Sequence, residues 1–252
     1  RANVLHPLGL SKAPVIPVSA LEGENVFTAS ERMRWYDAST LIDTLDACIA
    51  PSTQAVDRPL RGFVQDVYKR NGEEIIVCKI ETGVVKLGNL LHFSPSEREG
   101  RLRMIEFFGA KSERAYPGDS VGLIVDGVQR LKRGEVVSYP EDRPPLVRSF
   151  TAEIVLFSDA AISSGDVLTL HHGTIERKCR VQEIVSEIDP VNLIRRPKRV
   201  GALRSGGVGE VRLRSSEAFP LERYSDAPQM GRFVVVGGRG AIGAGIVVDL
   251  ER

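Results

Sequence analysis

The chain has 252 residues, 42% of them apolar and 24 of them glycine, enough for one large core or two medium ones. Lys and Arg total 34 against 33 Asp and Glu, so the net charge of +1 offers no global case for polyanion binding and confines any nucleic-acid surface to a local patch. Cys48, Cys78 and Cys179 are far apart and odd in number, which fits neither a disulfide framework nor a paired zinc knuckle; a reducing cytoplasm is the simplest setting. No apolar run approaches the roughly 18 residues of a membrane helix and no signal-peptide pattern opens the sequence, so no membrane partner is expected.

The first segment runs over residues 1–57. It opens at Arg1 inside what reads as a domain, so a fragment of a longer protein is expected. Val15-Ile16-Pro17-Val18 reads as a short strand ending in Ser19-Ala20-Leu21 and a Gly23/Asn25 turn. Ser39 is then placed to cap a helix with Leu41, Ile42, Leu45 and Ile49 on one face, which Pro51 stops. One strand and one helix cannot make a core, so this piece needs a neighbour to pack on. The loop from Leu21 to Arg34 is expected to be mobile or propped on a barrel.

Over residues 58–145 the pattern becomes short alternating strands: Leu60–Val67, Ile75–Ile80, Leu90–Phe93, Leu102–Ile105 and Val121–Val125. Asn71-Gly72, Gly83, Gly88, Gly100 and Pro117-Gly118-Asp119 supply the turns. Even spacing without helical periodicity predicts a small all-β barrel rather than a βαβ array. Pro144-Pro145 is stiff, cannot donate backbone hydrogen bonds, and reads as a joint. Residues 146–252 repeat the style. Phe150, Ala152, Ile154 and Leu156 alternate with polar residues, Val211 and Leu213 alternate with Glu210, Arg212 and Arg214, and the chain closes on Phe233–Val236 and Ile246–Val248. A second β-barrel is predicted there.

Taken in order, several strings resemble one family. They are Val18-Ser19-Ala20-Leu21-Glu22-Gly23-Glu24-Asn25, Trp35-Tyr36-Asp37, Arg58-Pro59-Leu60-Arg61, Gln65-Asp66-Val67-Tyr68-Lys69, Glu81-Thr82-Gly83-Val84-Val85-Lys86-Leu87-Gly88, Pro117-Gly118-Asp119-Ser120-Val121-Gly122 and Pro228-Gln229-Met230-Gly231-Arg232-Phe233. Their spacing is similar to the region after the GTPase domain in the translation-factor superfamily. That superfamily includes elongation factors 1-alpha and Tu, the eukaryotic release-factor GTPase and the GTPase subunit of bacterial sulfate adenylyltransferase. The resemblance implies two consecutive β-barrels behind a short α/β remnant of a GTPase domain.

It also implies roles for particular residues. Ser19, Ala20 and Leu21 match the loop whose backbone touches the guanine base. The sequence holds no Gly-x-x-x-x-Gly-Lys-Ser/Thr loop to cradle phosphates and no Asn-Lys-x-Asp motif. Gly237-Gly238-Arg239-Gly240 has no lysine and leads into a strand-like run. These residues are therefore expected to bind no cofactor or metal and to hold no catalytic residue, while the parent protein is expected to use GTP and Mg. Glu106, Phe107 and Phe108 match the pocket for the aminoacylated end of tRNA; without the family, Phe107 and Phe108 read as a core residue and an inter-domain contact. His171 matches a histidine near the tRNA arm, although adjacent His171 and His172 on a strand point to opposite faces and cannot chelate one metal. Arg195, Arg196, Lys198 and Arg199 form the densest basic run, and with Arg232 and Arg239 they are candidate phosphate contacts that also read as solvated loop charges.

Departures accompany the matches. The hairpin at Asn71-Gly72-Glu73-Glu74 is one residue shorter than in elongation factors and acidic, which would repel phosphate. Cys78 replaces a strand glycine and removes the room that a glycine leaves. Val236-Gly237 replaces an Arg-Asp pair, and Ala241 a threonine. Partners implied are the chain's own GTPase domain and a tRNA or ribosomal ligand. An adenylyl-transferring enzyme is the partner if the parent is the sulfate-activation subunit, and a plain protein-interaction module is the third reading.

Overall fold

The computed structural model describes residues 13–48, 55–157, 160–189, 194–197, 201–238 and 240–251, with the backbone alone for Arg196 and Pro197. The chain divides into two compact units, residues 1–53 and 54–252.

The described part of the first unit holds one helix, α1 (Leu41–Cys48), and no strand. Val15–Val18 is irregular, and among the described residues the pairings that follow it are isolated bridges from Ser19 to Glu24 and from Glu24 to Thr28. Pro17 removes a ladder donor from that run, which explains the missing strand. The organising residue is Asn25, buried at φ 55°. Its Nδ2 donates to the Pro17 carbonyl at 2.9 Å, its Oδ1 accepts from the Ser30 amide at 2.6 Å, and its own carbonyl accepts from the Leu41 amide at 2.9 Å. The loop from Leu21 to Arg34 is thus tied from within. The helix cap is Thr40, not Ser39. Thr40 Oγ1 accepts from the Asp43 amide at 3.3 Å and donates to Asp43 Oδ2 at 2.6 Å, an N-cap that Ser39 is one residue too early to make. No residue of α1 is buried, and Ile49 lies outside the described residues.

The second unit is all β. Its first nine strands are β1 (Arg61–Arg70), β2 (Glu73–Thr82), β3 (Val85–Lys86), β4 (Leu90–Ser94), β5 (Arg98–Phe107), β6 (Ala110–Ser112), β7 (Arg114–Ala115), β8 (Ser120–Asp126) and β9 (Val136–Ser138). The order β4-β9-β1-β2-β8-β5, closed by β4 on β5, makes a six-stranded barrel with β6 appended and β3–β7 as a separate ribbon. The remaining strands are β10 (Leu146–Leu156), β11 (Val167–His172), β12 (Ile175–Ile188), β13 (Arg195–Pro197), β14 (Val208–Pro220), β15 (Arg232–Gly237) and β16 (Gly240–Glu251). They form a second ring in the order β11-β15-β16-β10-β14-β12, closed by β11 on β12. Closure leaves no open edge on either ring, which alternating strands of this length require.

Local chemistry explains the details. Asn71 and Gly72 both take positive φ, 53° and 83°, as a two-residue hairpin of the primed type demands. Gly100 is not a turn. It lies inside β5, where a Cβ would sit 2.2 Å from the Asp126 carbonyl oxygen, so its job is to let two strands cross closely. Cys78 does not fill space needed by others, because its fully buried sulfur faces Gly62, whose missing side chain provides the room.

The two barrels are joined by a ball and a clasp. The ball is Phe63 of β1, which packs in the core of the second barrel against His172 with ring centroids 5.2 Å apart. Gly173 makes the socket, since a Cβ there would lie 2.5 Å from the Phe63 ring. The clasp is Arg61, only 2% exposed. Its Nε and Nη2 donate to the two oxygens of Glu222 at 2.9 and 2.8 Å, and its Nη1 donates to the Leu60 and Asp142 carbonyls, each at 2.8 Å. The bidentate carboxylate and the two carbonyls engage four of the five guanidinium N–H groups, and Asp142 Oδ1 stands 3.6 Å from Nη2.

Candidate nucleic-acid interface

In the first unit, Ser19 Oγ accepts from the Glu22 amide at 3.4 Å and the Ser19 amide donates to the Glu24 carbonyl at 3.2 Å. The turn they close presents Leu21 almost wholly to solvent, and among the described residues the Ala20 and Leu21 amides have no acceptor. Free amides on a tight turn can read one edge of a planar base, but phosphates would need further donors.

On the first barrel, Phe107 and Phe108 meet edge to face with centroids 4.6 Å apart. Phe107 packs partly against the barrel core. Phe108 sits at φ 49° beside Gly109 in the β5–β6 turn and is 94% exposed. A bulky residue held in the left-handed region and presented to water is an unpaid apolar surface of the kind that stacks on a ring. Glu106 points to the same region but is engaged. Arg70 Nη1 donates to its Oε1 at 3.1 Å and Nη2 to its Oε2, which lowers the carboxyl below its usual range and raises the guanidinium. The acidic hairpin is only partly compensated: Arg103 holds Glu73 and Asp126, and Glu74 Oε2 accepts from the Arg130 amide at 2.8 Å, so the cluster stays net negative.

On the second barrel, alternation separates the two histidines. His172 faces inward, 1% exposed, with Nδ1 donating to the Arg232 carbonyl at 3.0 Å and Nε2 unpartnered; burial pushes it down to about 4. His171 faces outward, half exposed, with Nε2 3.6 Å from Glu176. It joins Arg232 on the rim of a groove of about 620 Å³ floored by Val155, Val234 and Ala244. Strand register explains the floor: His171–Val234–Ala244–Val155–Val208 is one row across five strands. Glu153 also lines this groove and pairs with Arg195, whose Nη1 holds Glu210 at 2.7 Å. Arg195 is therefore one cation between two carboxylates, which raises its affinity for its proton and leaves that cluster net negative. Arg196 pairs by its backbone with Glu187, while Lys198, Arg199 and Arg239 lie outside the described residues. A strand, β16, follows the Gly237–Gly240 turn, so that glycine run has no helix N-terminus to offer an anion.

The cations best placed for phosphate are ones that the motif search did not find. Lys178 and Arg180 of β12 and Arg214 of β14 line a trough of about 300 Å³ with Gln182 and Ser216, and no carboxylate lines it. Arg180 and Arg214 are direct cross-strand partners, a like-charge pair that is unfavourable by itself. Among the described residues Arg180 reaches only the Gly165 carbonyl at 2.8 Å and Arg214 only Ser149 Oγ at 3.5 Å. Elsewhere Arg32, Arg61, Arg70, Arg103, Arg143, Arg195, Arg212 and Arg223 hold carboxylates, whereas Arg101 and Arg133, like Arg180, each reach a backbone carbonyl. The signal was present as Lys178/Arg180 and Arg212/Arg214 at spacing two, but which pairs meet is decided by register.

With this geometry in hand, residues 149–248 match the family model described as GTP-eEF1A C-terminal domain-like. The chain is 36% identical over 245 residues to elongation factor 1-alpha of Saccharolobus solfataricus, covering 96% of this chain and 56% of that protein. Against elongation factor 1-alpha of Methanopyrus kandleri the identity is 33%, covering 100% of this chain and 63% of the relative. The chain is similar to the translation-factor GTPases. The part matched is their C-terminal region. Among solved structures, sup35 complexed with GDP superposes with a TM-score of 0.73 at 23% identity, over 96% of this chain and 60% of that one, and sup35 complexed with GMPPNP gives 0.74. At that identity the likeness establishes the shared barrel fold. The chain spans little more than half the length of these family relatives. Among the described residues no helix is long and apolar enough to cross a membrane and no cluster of metal-ligating side chains occurs.

Proposed function

We propose that this chain is the ligand-binding barrel region of an elongation-factor-like GTPase, and that the second barrel grips the phosphate backbone of a tRNA-like ligand. The observation that carries the reading is the trough of Lys178, Arg180 and Arg214, a cationic cluster without a facing carboxylate in a chain of net charge +1. Arg232 and His171 extend the contact on the neighbouring groove. Phe108 offers the stacking face for the terminal base or aminoacyl side chain. The clasp of Arg61 and Glu222 keeps the two barrels in one arrangement, so both ends of a long ligand meet a fixed spacing.

GTP and Mg would be held by the GTPase domain of the full-length protein, with Ser19–Leu21 lending the amides of Ala20 and Leu21 to the guanine edge. Nucleotide state would then bias how that domain docks on the barrels, and with it ligand affinity. A cytoplasmic setting agrees with this role. The elongation factor 1-alpha relatives support the translation reading over sulfate activation.

The test is equilibrium binding of aminoacylated tRNA to the full-length GTP-bound protein. The reading expects saturable binding at low salt that weakens steeply as salt rises; no saturable binding at low salt contradicts it, since phosphate contacts are then strongest.

A further inference from the structure

Two hydroxyls line the trough of the second barrel, and only one of them faces water. Ser216 is exposed beside Lys178, Arg180 and Arg214, whereas Ser215 is 3% exposed and lies in register with Cys179 of the barrel core. Period-two alternation puts Ser216 on the outer face with Arg214, as it puts Lys178 with Arg180 on β12. Carrying the Arg180–Arg214 and Cys179–Ser215 register on by one residue sets Lys178 across from Ser216. The ladder stops at that point. β12 pairs with β14 only up to Ser215, and β10 pairs with Arg214 and next with Phe219, so residues 216–218 bulge out of both registers. An enzyme can therefore engage Ser216 without unzipping a ladder. Glu217, the carboxylate beside it in sequence, is turned to Arg177, with Oε2 3.6 Å from Nη1.

We propose that Ser216 is a phosphorylation site and that the trough is the seat of its phosphate, so that modification shuts the trough against RNA. The shutting rests on the reading that these cations hold tRNA phosphates; the seat does not. In the transfer, Ser216 Oγ bonds to the γ-phosphorus of a nucleoside triphosphate as the bridging β–γ P–O bond breaks. The hydroxyl proton passes to the transferring enzyme, and the nucleoside diphosphate leaves. The run Arg212-Leu213-Arg214-Ser215-Ser216 sets arginines two and four residues before the acceptor, which suits an enzyme with an acidic substrate groove. The product carries about −1.5 to −2 charges at pH 7 and three acceptor oxygens. Arg180 and Arg214 supply planar forks to it and Lys178 a point charge. A like-charge pair thus becomes a bridged one, so the second barrel gains stability while the same three cations close to a nucleic-acid backbone.

The experiment compares the full-length GTP-bound protein, unmodified and with phosphoserine installed at position 216. Thermal unfolding is expected at a higher midpoint for the phosphorylated form, a gain that Arg180→Ala/Arg214→Ala abolishes. The second ionisation of the phosphate, followed by phosphorus NMR, is expected below its ordinary value of about 6, because three cations favour the dianion. Aminoacylated tRNA is expected to bind the phosphorylated form roughly tenfold or more weakly at low salt, with a slope of log affinity against log salt smaller by about 2. An arginine-directed serine kinase is expected to label Ser216 in the folded protein, and Ser216→Ala to lose that label. No label at Ser216 in the folded protein overturns the acceptor. An ordinary ionisation or an unchanged unfolding midpoint overturns the seat. Undiminished tRNA binding by the phosphorylated form overturns the shutting and leaves the seat in place. Failure of the unmodified protein to bind tRNA overturns the shutting together with the underlying reading, while the ionisation and unfolding still decide the seat.

Discussion

Replacing Arg61 by Met removes the cation of the inter-barrel clasp without removing much volume. The structure sets the magnitude. Four hydrogen bonds disappear, the Leu60 and Asp142 carbonyls lose a donor, and Glu222, whose side chain is 15% exposed, keeps its charge without a partner. Stranding one member of a buried ion pair costs about 3–5 kcal/mol. The double variant Arg61→Met/Glu222→Met removes both charges and their desolvation together. It is expected to recover most of that loss and to lie within about 2 kcal/mol of wild type. Urea denaturation of the three proteins measures this directly. A loss below about 1 kcal/mol for Arg61→Met, or a double variant no better than the single, refutes the view that Arg61 is a buried clasp and makes it a solvated surface charge.

Three further outcomes follow from the same structure. His172 is held at about 4 against about 6.5 in an unfolded chain, so between those values the unfolded state binds more protons and stability falls as pH drops through the window. At 1.36 kcal/mol per pH unit the contribution is about 3 kcal/mol, and a His172→Phe variant should lack it when the two proteins are denatured at pH 7 and pH 4. Gly100→Ala would place a carbon 2.2 Å from the Asp126 carbonyl oxygen, so thermal unfolding should report a loss of about 3 kcal/mol or more. Cys48 is exposed, whereas burial raises the Cys78 thiol and pushes Cys179 up to about 12, so a thiol reagent should label Cys48 alone in the native protein and all three after unfolding.

The barrels were legible because period-two alternation and turn residues are local: Phe150 to Leu156 and Asn71-Gly72 behave in the fold as their chemistry dictates. Gly100 misleads because a glycine that opens a turn and one that admits a crossing strand look alike until the partner strand is known. Arg61 gives no signal at all, since nothing in its neighbours announces that Glu222, 161 residues away, will bury it. The candidate site divides in the same way. Phe108 was visible only through the family resemblance, and its exposure follows from the turn it occupies. Arg195 drew notice for its basic neighbours, yet the fold sets it between Glu153 and Glu210. Lys178, Arg180 and Arg214 drew none, because a cluster made by strand register is invisible to any reading along one strand.

The measurement that bears most directly on the proposed function is the slope of log affinity against log salt for tRNA, compared between wild type and Lys178→Ala/Arg180→Ala/Arg214→Ala. Each phosphate contact contributes roughly −0.7 to −0.9 to that slope. The trough account predicts that the triple variant loses about 2 to 3 from its magnitude, with weaker binding at low salt. Arg195→Ala should leave the slope unchanged, because its charge is already held by two carboxylates. A triple variant with the wild-type slope, or an Arg195→Ala slope that falls instead, contradicts the account.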